Sequence, residues 1–473
     1  MITKESLCKL EKYIIETEIN CHEWFIFNLL NFNYYISDKP LTQTDIQTIE
    51  KEDVETLREL GFVSKLNEDA LFEQKTKDWE RFIEENYNPE FSKIVIRILP
   101  TLQCNFRCSY CYQDSFYEEI TRKNSDFMSI EVLQALLKYI EENVKFDKQQ
   151  SLRLELAGGE VFLRNRKAFS FVKHLIAGTN HPEIELVFIT NGYHLDSFIP
   201  ILKGKKEITY NITIDGTVKI HDKRRFLANG EGSFDRIISN IDKIITETTH
   251  KVRIRCNIDD HNITDFSNLL DFLENKEWFK SNRFDLIIRA TTEYLENAKG
   301  DMPLGENIIS TNNMVKLLNI LIEHKMNKVI VDGTIMLPVL KILFWDKFFE
   351  ITNKKENIED KTIDIICDAN QGHFGFVDYN GSVRRCGFEL AEECGSIFPE
   401  IKLDEEKIKN WNSLEFILEK FNSKPCRNCR FFFLCGMRQC SFSQYEYYVE
   451  ERGSCENIER NIELFLNNYA KFL

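Results

Sequence analysis

From Lys93 onward, short apolar runs alternate with longer stretches in which apolar residues recur every three or four positions. The first kind reads as strands buried in a sheet, the second as amphipathic helices. Strands fall near 94–99, 152–157, 184–190, 207–214, 251–258 and 283–289, with helices between them near 129–144, 166–178, 194–203, 233–247 and 264–277. This alternation predicts an α/β fold of parallel βα units. Six strands in one continuous stretch fit a partial (β/α)6 barrel, in which chemistry gathers at the carboxyl ends of the strands.

The chain before this stretch has another pattern. Glu23–Asn28 and Phe32–Ser37 read as two aromatic strands around a turn, followed by helical pattern from about Thr42 and again from Glu52 to Leu60. Gly61 is a good helix terminator before the extended Phe62-Val-Ser. Residues 1–90 are therefore expected to form a winged-helix-like domain, joined to the next by a charged helix from Lys75 to Asn88. Residues 91–290 form the core, 291–360 a bridging helical region with helices near Asn312–His324 and Met336–Phe349, and 361–473 a cysteine-rich C-terminal domain.

Composition narrows the class. The net charge of −15 argues against nucleic acid as a partner, because phosphate binding relies on Lys and Arg. No apolar run is long enough to span a membrane and no signal peptide is visible, so the expectation is a cytoplasmic protein without a membrane partner. In that compartment the fourteen cysteines are expected as metal ligands rather than disulfides.

Three of them, Cys104, Cys108 and Cys111, lie within eight residues just after the first core strand. Three soft ligands hold three irons of a [4Fe-4S] cluster and leave the fourth open. A structural zinc site wants four ligands, usually paired as CxxC. With Tyr110 before the last cysteine, this run resembles the cluster loop of radical S-adenosylmethionine (radical SAM) enzymes, which implies a TIM-like partial barrel. In those enzymes the open iron takes SAM.

Other strand ends extend the resemblance. Ala157-Gly158-Gly159-Glu160 follows the second strand and looks like the glycine-rich element that holds the methionyl amino group of SAM, with Val161 where the family commonly has Pro. Thr190-Asn191-Gly192 and Thr213-Ile-Asp215-Gly216 follow the third and fourth strands, and His221-Asp222, Arg225 and Gly232-Ser233-Phe234 strengthen the likeness to peptide- and protein-modifying members. By resemblance Tyr110, Gly158, Gly159, Glu160 and Asn191 bind cofactor, Thr213 contacts its ribose, and Arg225 and Arg255 are candidates for its carboxylate.

The second cysteine region resembles a SPASM extension, which carries auxiliary [4Fe-4S] clusters. By resemblance Cys426, Cys429, Cys435 and Cys455 close one cluster, and Cys367, Cys386 and Cys440 hold three irons of another. Either Cys394 or an open position completes the second. Four residues separate Cys435 from Cys440 where the usual pattern has three. The expected inventory is three clusters, one binding SAM and two auxiliary.

The resemblance implies a maturase of ribosomally made peptides that forms a thioether or carbon–carbon crosslink. Its partners would be a precursor peptide, whose leader the N-terminal domain recruits as an added strand, and a reductant such as flavodoxin or ferredoxin. The nearest alternative is an anaerobic sulfatase maturase. Those enzymes place an Asp directly after the cysteine aligned with Cys386, where this chain has Gly387. A non-catalytic iron-sulfur scaffold is the third reading, disfavoured by the intact cysteine trio.

Overall fold

The computed structural model describes residues 7–20, 22–31, 33–45, 47–86, 93–111, 113, 126–144, 151–290, 311–324, 329–331, 375–384, 393–411, 413, 415, 418, 429–430, 463 and 466–467. The helix expected over Met336–Phe349 lies outside them.

The N-terminal part opens with β1 (Cys8–Lys9), β2 (Ile14–Asn20), β3 (Glu23–Asn28) and β4 (Tyr34–Ser37), followed by α1 (Lys51–Glu59), β5 (Val63–Ser64) and α2 (Glu68–Asn86). β2, β3 and β4 form an antiparallel sheet in that order, and β1 pairs with β5. The two aromatic strands are present. Phe25 and Phe27 on β3 are buried with Tyr13 and Phe62. β2, an edge strand in which Glu16 and Glu18 alternate with Ile15, Thr17 and Ile19, was not read from the sequence. The helix expected from Thr42 is only a 3-10 turn over Leu41–Gln43. There the Thr44 hydroxyl donates back to the Pro40 carbonyl at 2.8 Å, and the Asp45 carboxylate accepts from the Gln47 amide at 3.0 Å. Such local bonds compete with helix propagation.

The core contains β6 (Lys93–Ile98), β7 (Phe106–Cys108), α3 (Ile130–Asn143), β8 (Ser151–Leu156), α4 (Arg166–Gly178), β9 (Ile184–Thr190), α5 (Ile199–Leu202), β10 (Ile208–Thr213), α6 (Val218–Arg224) and β11 (Arg225–Leu227). It continues with α7 (Phe234–Glu247), β12 (Lys251–Ile258), α8 (Ile263–Glu274), β13 (Phe284–Ala290), α9 (Thr311–Glu323) and β14 (Val329–Val331). Strands β6, β8, β9, β10, β12, β13 and β14 lie side by side in chain order, all parallel. Right-handed crossovers in such an order put every helix on one face. α3 and α4 are capped by Ser129 and Asn165, whose side chains accept from the Val132 and Ala168 amides. The expected helix near 194–203 is shorter, a 3-10 turn followed by α5.

Register sorts the two faces of the sheet. Ile96, Leu154, Leu186, Ile208, Val252 and Phe284 are all buried and stand on the helix side of adjacent strands. The other face is charged. Arg97 donates to Glu155 at 2.9 Å, Arg153 to Glu185 at 2.9 Å, and Arg253 to Asp285 at 3.2 Å, each pair directly opposite across neighbouring strands. The interior of a closed eight-stranded barrel is instead filled by branched apolar layers. These charges remain partly exposed, so the inner face meets solvent.

Part of the C-terminal region joins the same sheet. β15 (Phe376–Val377) pairs in parallel with β6, and β16 (Ser382–Arg384), β17 (Glu393–Ser396) and β18 (Lys402–Leu403) add antiparallel strands beyond it, followed by α10 (Glu405–Trp411). The Arg97 and Leu99 amides donate to the Gly375 and Val377 carbonyls at 3.0 and 2.8 Å. With β8 on one side and β15 on the other, β6 has no edge left to close a barrel.

Two buried histidines tie the scaffold together in neutral form. His250, fully buried, accepts from the Tyr210 hydroxyl through Nδ1 at 2.9 Å and donates through Nε2 to the Lys205 carbonyl at 2.8 Å. Burial lowers its pKa, as it does for His221. The unfolded chain, with ordinary histidines near pH 6.5, therefore binds protons that the native state refuses. Stability should be fully present above about pH 6.5 and fall as pH drops below it, by up to about 1.4 kcal/mol per pH unit per group. His250→Gln should flatten that slope in urea-unfolding midpoints between pH 7 and 5. An unchanged slope would count against this assignment.

Candidate functional site

The loops at the carboxyl ends of β6, β8, β9, β10 and β12 meet around the cysteine trio. The loop after β6 is not free-standing: β7 within it pairs antiparallel with β11, setting Cys108 opposite Arg225 and Phe106 opposite Leu227. The Ser109 amide donates to the Arg224 carbonyl and the Ala228 amide to the Asn105 carbonyl, both at 2.9 Å, closing the ribbon at its ends. This ribbon was not anticipated. Three-residue strands inside a polar loop leave no periodicity to read.

Gly158 and Gly159 are required by this loop. A Cβ on Gly159 would stand 2.1 Å from the Gln103 carbonyl oxygen, and one on Gly158 would stand 2.1 Å from Leu99 Cδ1, with φ at +136°. The close approach expected at these glycines is taken by the cysteine loop itself. Their neighbour Glu160 is 2% exposed, and its carboxylate accepts from the Thr190 hydroxyl at 2.7 Å and from the Asn191 and Phe162 amides at 2.7 and 2.9 Å. Three of its roughly four acceptor positions are thus committed to joining the end of β8 to the end of β9. Burial raises its pKa, and these three hydrogen bonds oppose that.

Asn191 reaches the trio. Its Nδ2 donates to Asn105 Oδ1 at 2.9 Å and lies 3.9 Å from Cys104 Sγ, which also accepts from the Phe106 amide at 3.4 Å. Tyr110 anchors the other end of the loop. Its hydroxyl donates to Asp215 and accepts from Arg225 Nη1 at 2.9 Å and Asn257 Nδ2 at 3.2 Å. Asp215 also accepts from the Asn257 amide at 2.9 Å, and Arg224 is bound to Asp259 at 2.8 Å. His221 accepts from the Asp215 amide through Nδ1 at 3.3 Å. Its Nε2 donates at 3.1 Å to the Ser233 hydroxyl, which donates in turn to the Arg225 carbonyl at 2.6 Å.

The remaining sequence candidates lie as follows. Thr213, at the end of β10, is buried beside Arg255 in register, and Arg255 Nε donates to Asn257 Oδ1 at 3.1 Å. Cys394 is 2% exposed on β17, with its thiol donating to the Val383 carbonyl at 3.4 Å. Cys429 is partly buried against the core. Cys367, Cys386, Cys426, Cys435, Cys440 and Cys455 lie outside the described residues. Asn257, Asp259 and Asn262 were missed, although a polar cluster at the carboxyl end of a predicted barrel strand is a usable signal.

The trio fits a cluster better than a single ion. Among the described residues, a group of three ligand atoms within 4.8 Å of one another occurs only at Asp271, Glu274 and His324. The three sulfurs therefore do not all lie within 4.8 Å of one another, whereas one tetrahedral ion with bonds of about 2.3 Å imposes roughly 3.8 Å. Burial, with the Glu160 carboxylate nearby, pushes the Cys104 thiol up to about 12. A thiolate there needs iron in place of the proton.

A loop of three cysteines at the carboxyl edge of a sequential parallel sheet defines an α/β protein with a cysteine-rich site at its strand ends. More particularly, residues 98–273 match the Radical SAM superfamily, and the chain carries a radical SAM domain, which implies SAM and a [4Fe-4S] cluster. The chain is 29% identical over 161 residues to a GTP 3',8-cyclase of Vibrio atlanticus (strain LGP32), covering 34% of this chain and 44% of the cyclase. It is 28% identical over 142 residues to a cysteine-type anaerobic sulfatase-maturating enzyme of Clostridium novyi (strain NT), covering 29% of this chain and 36% of that enzyme. The matches thus span less than half the length of these relatives. In fold the chain is similar to native anSMEcpe with bound AdoMet, with a TM-score of 0.53 and 19% identity over 80% of this chain and 99% of that one.

Gly159→Ala should force the Gln103 backbone to move, destabilising the protein by about 1–3 kcal/mol and reducing iron retained per chain after anaerobic reconstitution. Gly204→Ala is the control, because nothing lies within 4 Å of a Cβ there. Equal iron contents in the two variants would refute the packing argument.

Proposed function

We propose that the chain is a radical SAM maturase of a ribosomally made precursor peptide, forming a thioether or carbon–carbon crosslink. The observation that carries this reading is the pairing of the Cys104, Cys108 and Cys111 loop with a second set of cysteines running from Cys367 to Cys455. That second set has the character of a SPASM extension with two auxiliary clusters. Bound at the first loop, a cluster and SAM supply a 5′-deoxyadenosyl radical that removes a hydrogen atom from the substrate. The chain's own part is to orient and enclose. Asn191 and the Phe106 amide donate toward Cys104, Tyr110 is held by Asp215 and Arg225, and the charged inner face of the sheet offers polar partners to an extended peptide.

Two further observations support a peptide. The β2–β3–β4 sheet has β4 at an edge with no strand beyond it among the described residues, and Tyr34 and Ile36 on that edge are 43% and 42% exposed. Such an edge accepts an added strand, which suits recruitment of a leader by a winged-helix-like module. The similar fold of anSMEcpe is also known with a Cp18Cys peptide bound. A flavodoxin or ferredoxin would supply the electron. Among the described residues no helix is long and apolar enough to cross a membrane.

Sulfatase maturation is the second reading, favoured by the Clostridium novyi relative. Gly387 stands where those enzymes carry an Asp as base, which weighs against it. Anaerobically reconstituted protein given SAM and dithionite should form 5′-deoxyadenosine, and Cys104→Ala, Cys108→Ala or Cys111→Ala should abolish it. Full cluster content without 5′-deoxyadenosine would end the enzymatic reading.

Peptides coexpressed with the chain should lose a pair of hydrogens by mass spectrometry. Conversion of a sulfatase Cys or Ser to formylglycine would reverse the ranking, and consumption of GTP would replace the peptide reading altogether.

A further inference from the structure

Two consecutive arginines at the cysteine ribbon differ in how their charge is met. Arg224 lies 2.8 Å from Asp259 and 3.8 Å from Asp215. Arg225 is 8% exposed, yet among the described residues no carboxylate oxygen lies within 4.0 Å of its guanidinium. Nη1 donates to the Tyr110 hydroxyl at 2.9 Å and Nε has no hydrogen-bond partner. The guanidinium lies 5.9 and 6.0 Å from the ring centroids of Phe106 and Tyr110. Cation–π contact of this kind offsets only part of the desolvation of a buried cation. Among the described residues no counter-charge touches it directly: the Asp215 carboxylate reaches it only through the Tyr110 hydroxyl and also serves Arg224.

The ribbon supplies one. Arg225 is the direct antiparallel partner of Cys108, and side chains at such positions share a face with Cβ atoms about 4.5–5.5 Å apart. Arg225 therefore leaves the ribbon on the same face as the Cys108 side chain. We propose that Arg225 is the counter-ion of the cluster held at Cys108, and that its fixed charge raises the reduction potential of that cluster. This rests on reading Cys104, Cys108 and Cys111 as cluster ligands. Reduction adds one electron to an assembly made negative by its thiolates, and a buried cation across the ribbon lowers the energy of that added charge. Arg225 is a positioning residue in this sense. It acts on the cluster's charge and touches no substrate.

The test is an EPR-monitored redox titration with dithionite of the full chain, reconstituted with iron and sulfide and following the signal that added SAM perturbs. At the wild-type midpoint, Arg225→Gln should lower the ratio of reduced to oxidised cluster at least about tenfold, equal to about 59 mV for one electron. Arg225→Lys, which keeps the charge and loses the planar fork, should stay within about threefold of wild type. An unchanged ratio in Arg225→Gln with full iron content overturns the proposal, as does a Lys variant shifted as far as the Gln variant.

If Arg225→Gln takes up no iron, uptake by Arg225→Lys supports the need for charge, and failure of both assigns Arg225 a purely structural part and overturns the proposal. A wild-type chain that binds no iron would instead remove the cluster reading itself.

Discussion

A buried carboxylate has to be met on every side, and Asp215 organises the site by that requirement. At 1% exposure it accepts from the Tyr110 hydroxyl and the Asn257 amide, its own amide donates to His221, and its carbonyl accepts from Asn262. One residue at the end of β10 thereby fixes the cysteine loop, α6 and the end of β12. Removing any of these partners leaves a charge or a lone pair in low dielectric, which costs more than the bond itself contributes. Glu160 plays the same part between β8 and β9. The geometry of the trio is thus set by carboxylates that are not its ligands.

The scaffold makes this affordable because its two faces have separate tasks. Stability comes from the helix side, where Phe162, Phe188, Phe198 and Tyr210 pack with ring centroids 4.9 to 6.3 Å apart. The opposite side is free to carry Arg97, Arg153, Glu155, Glu185 and Asp285 in cross-strand pairs. Exposed pairs of this kind add little to stability. They keep a polar, hydrated interior beneath the loops, and the apolar half of the sheet sustains the fold without them.

The parallel sheet was legible in the sequence because its helix-facing positions are apolar nearly throughout, Thr190 at the end of β9 being an exception. Strand limits at 184–190 and 251–258 agree with the structure, and the others to within one residue. β14 and the two-residue β15 were too short to announce themselves. At the site, the cysteine loop, the Gly158-Gly159-Glu160 turn and Asn191 were found from their places after strands, and the structure brings them together with Tyr110. Their contacts could not be read. That the Glu160 carboxylate is committed to Thr190 and Asn191 is a side-chain contact between the ends of two neighbouring strands, and that Arg225 pairs with Cys108 depends on two three-residue strands meeting across more than a hundred positions; local pattern carries neither.

The pairing of β15 with β6 has a consequence for biogenesis. On the ribosome β6 emerges with one edge bare, and the partner that covers it is encoded in the last quarter of the chain. Until Gly375 and Val377 arrive, the Arg97 and Leu99 amides have no acceptors and the root of the cysteine loop is unpinned. Contacts this distant in sequence form late. The nascent strand edge of β6 is therefore the point where a chaperone has most to protect.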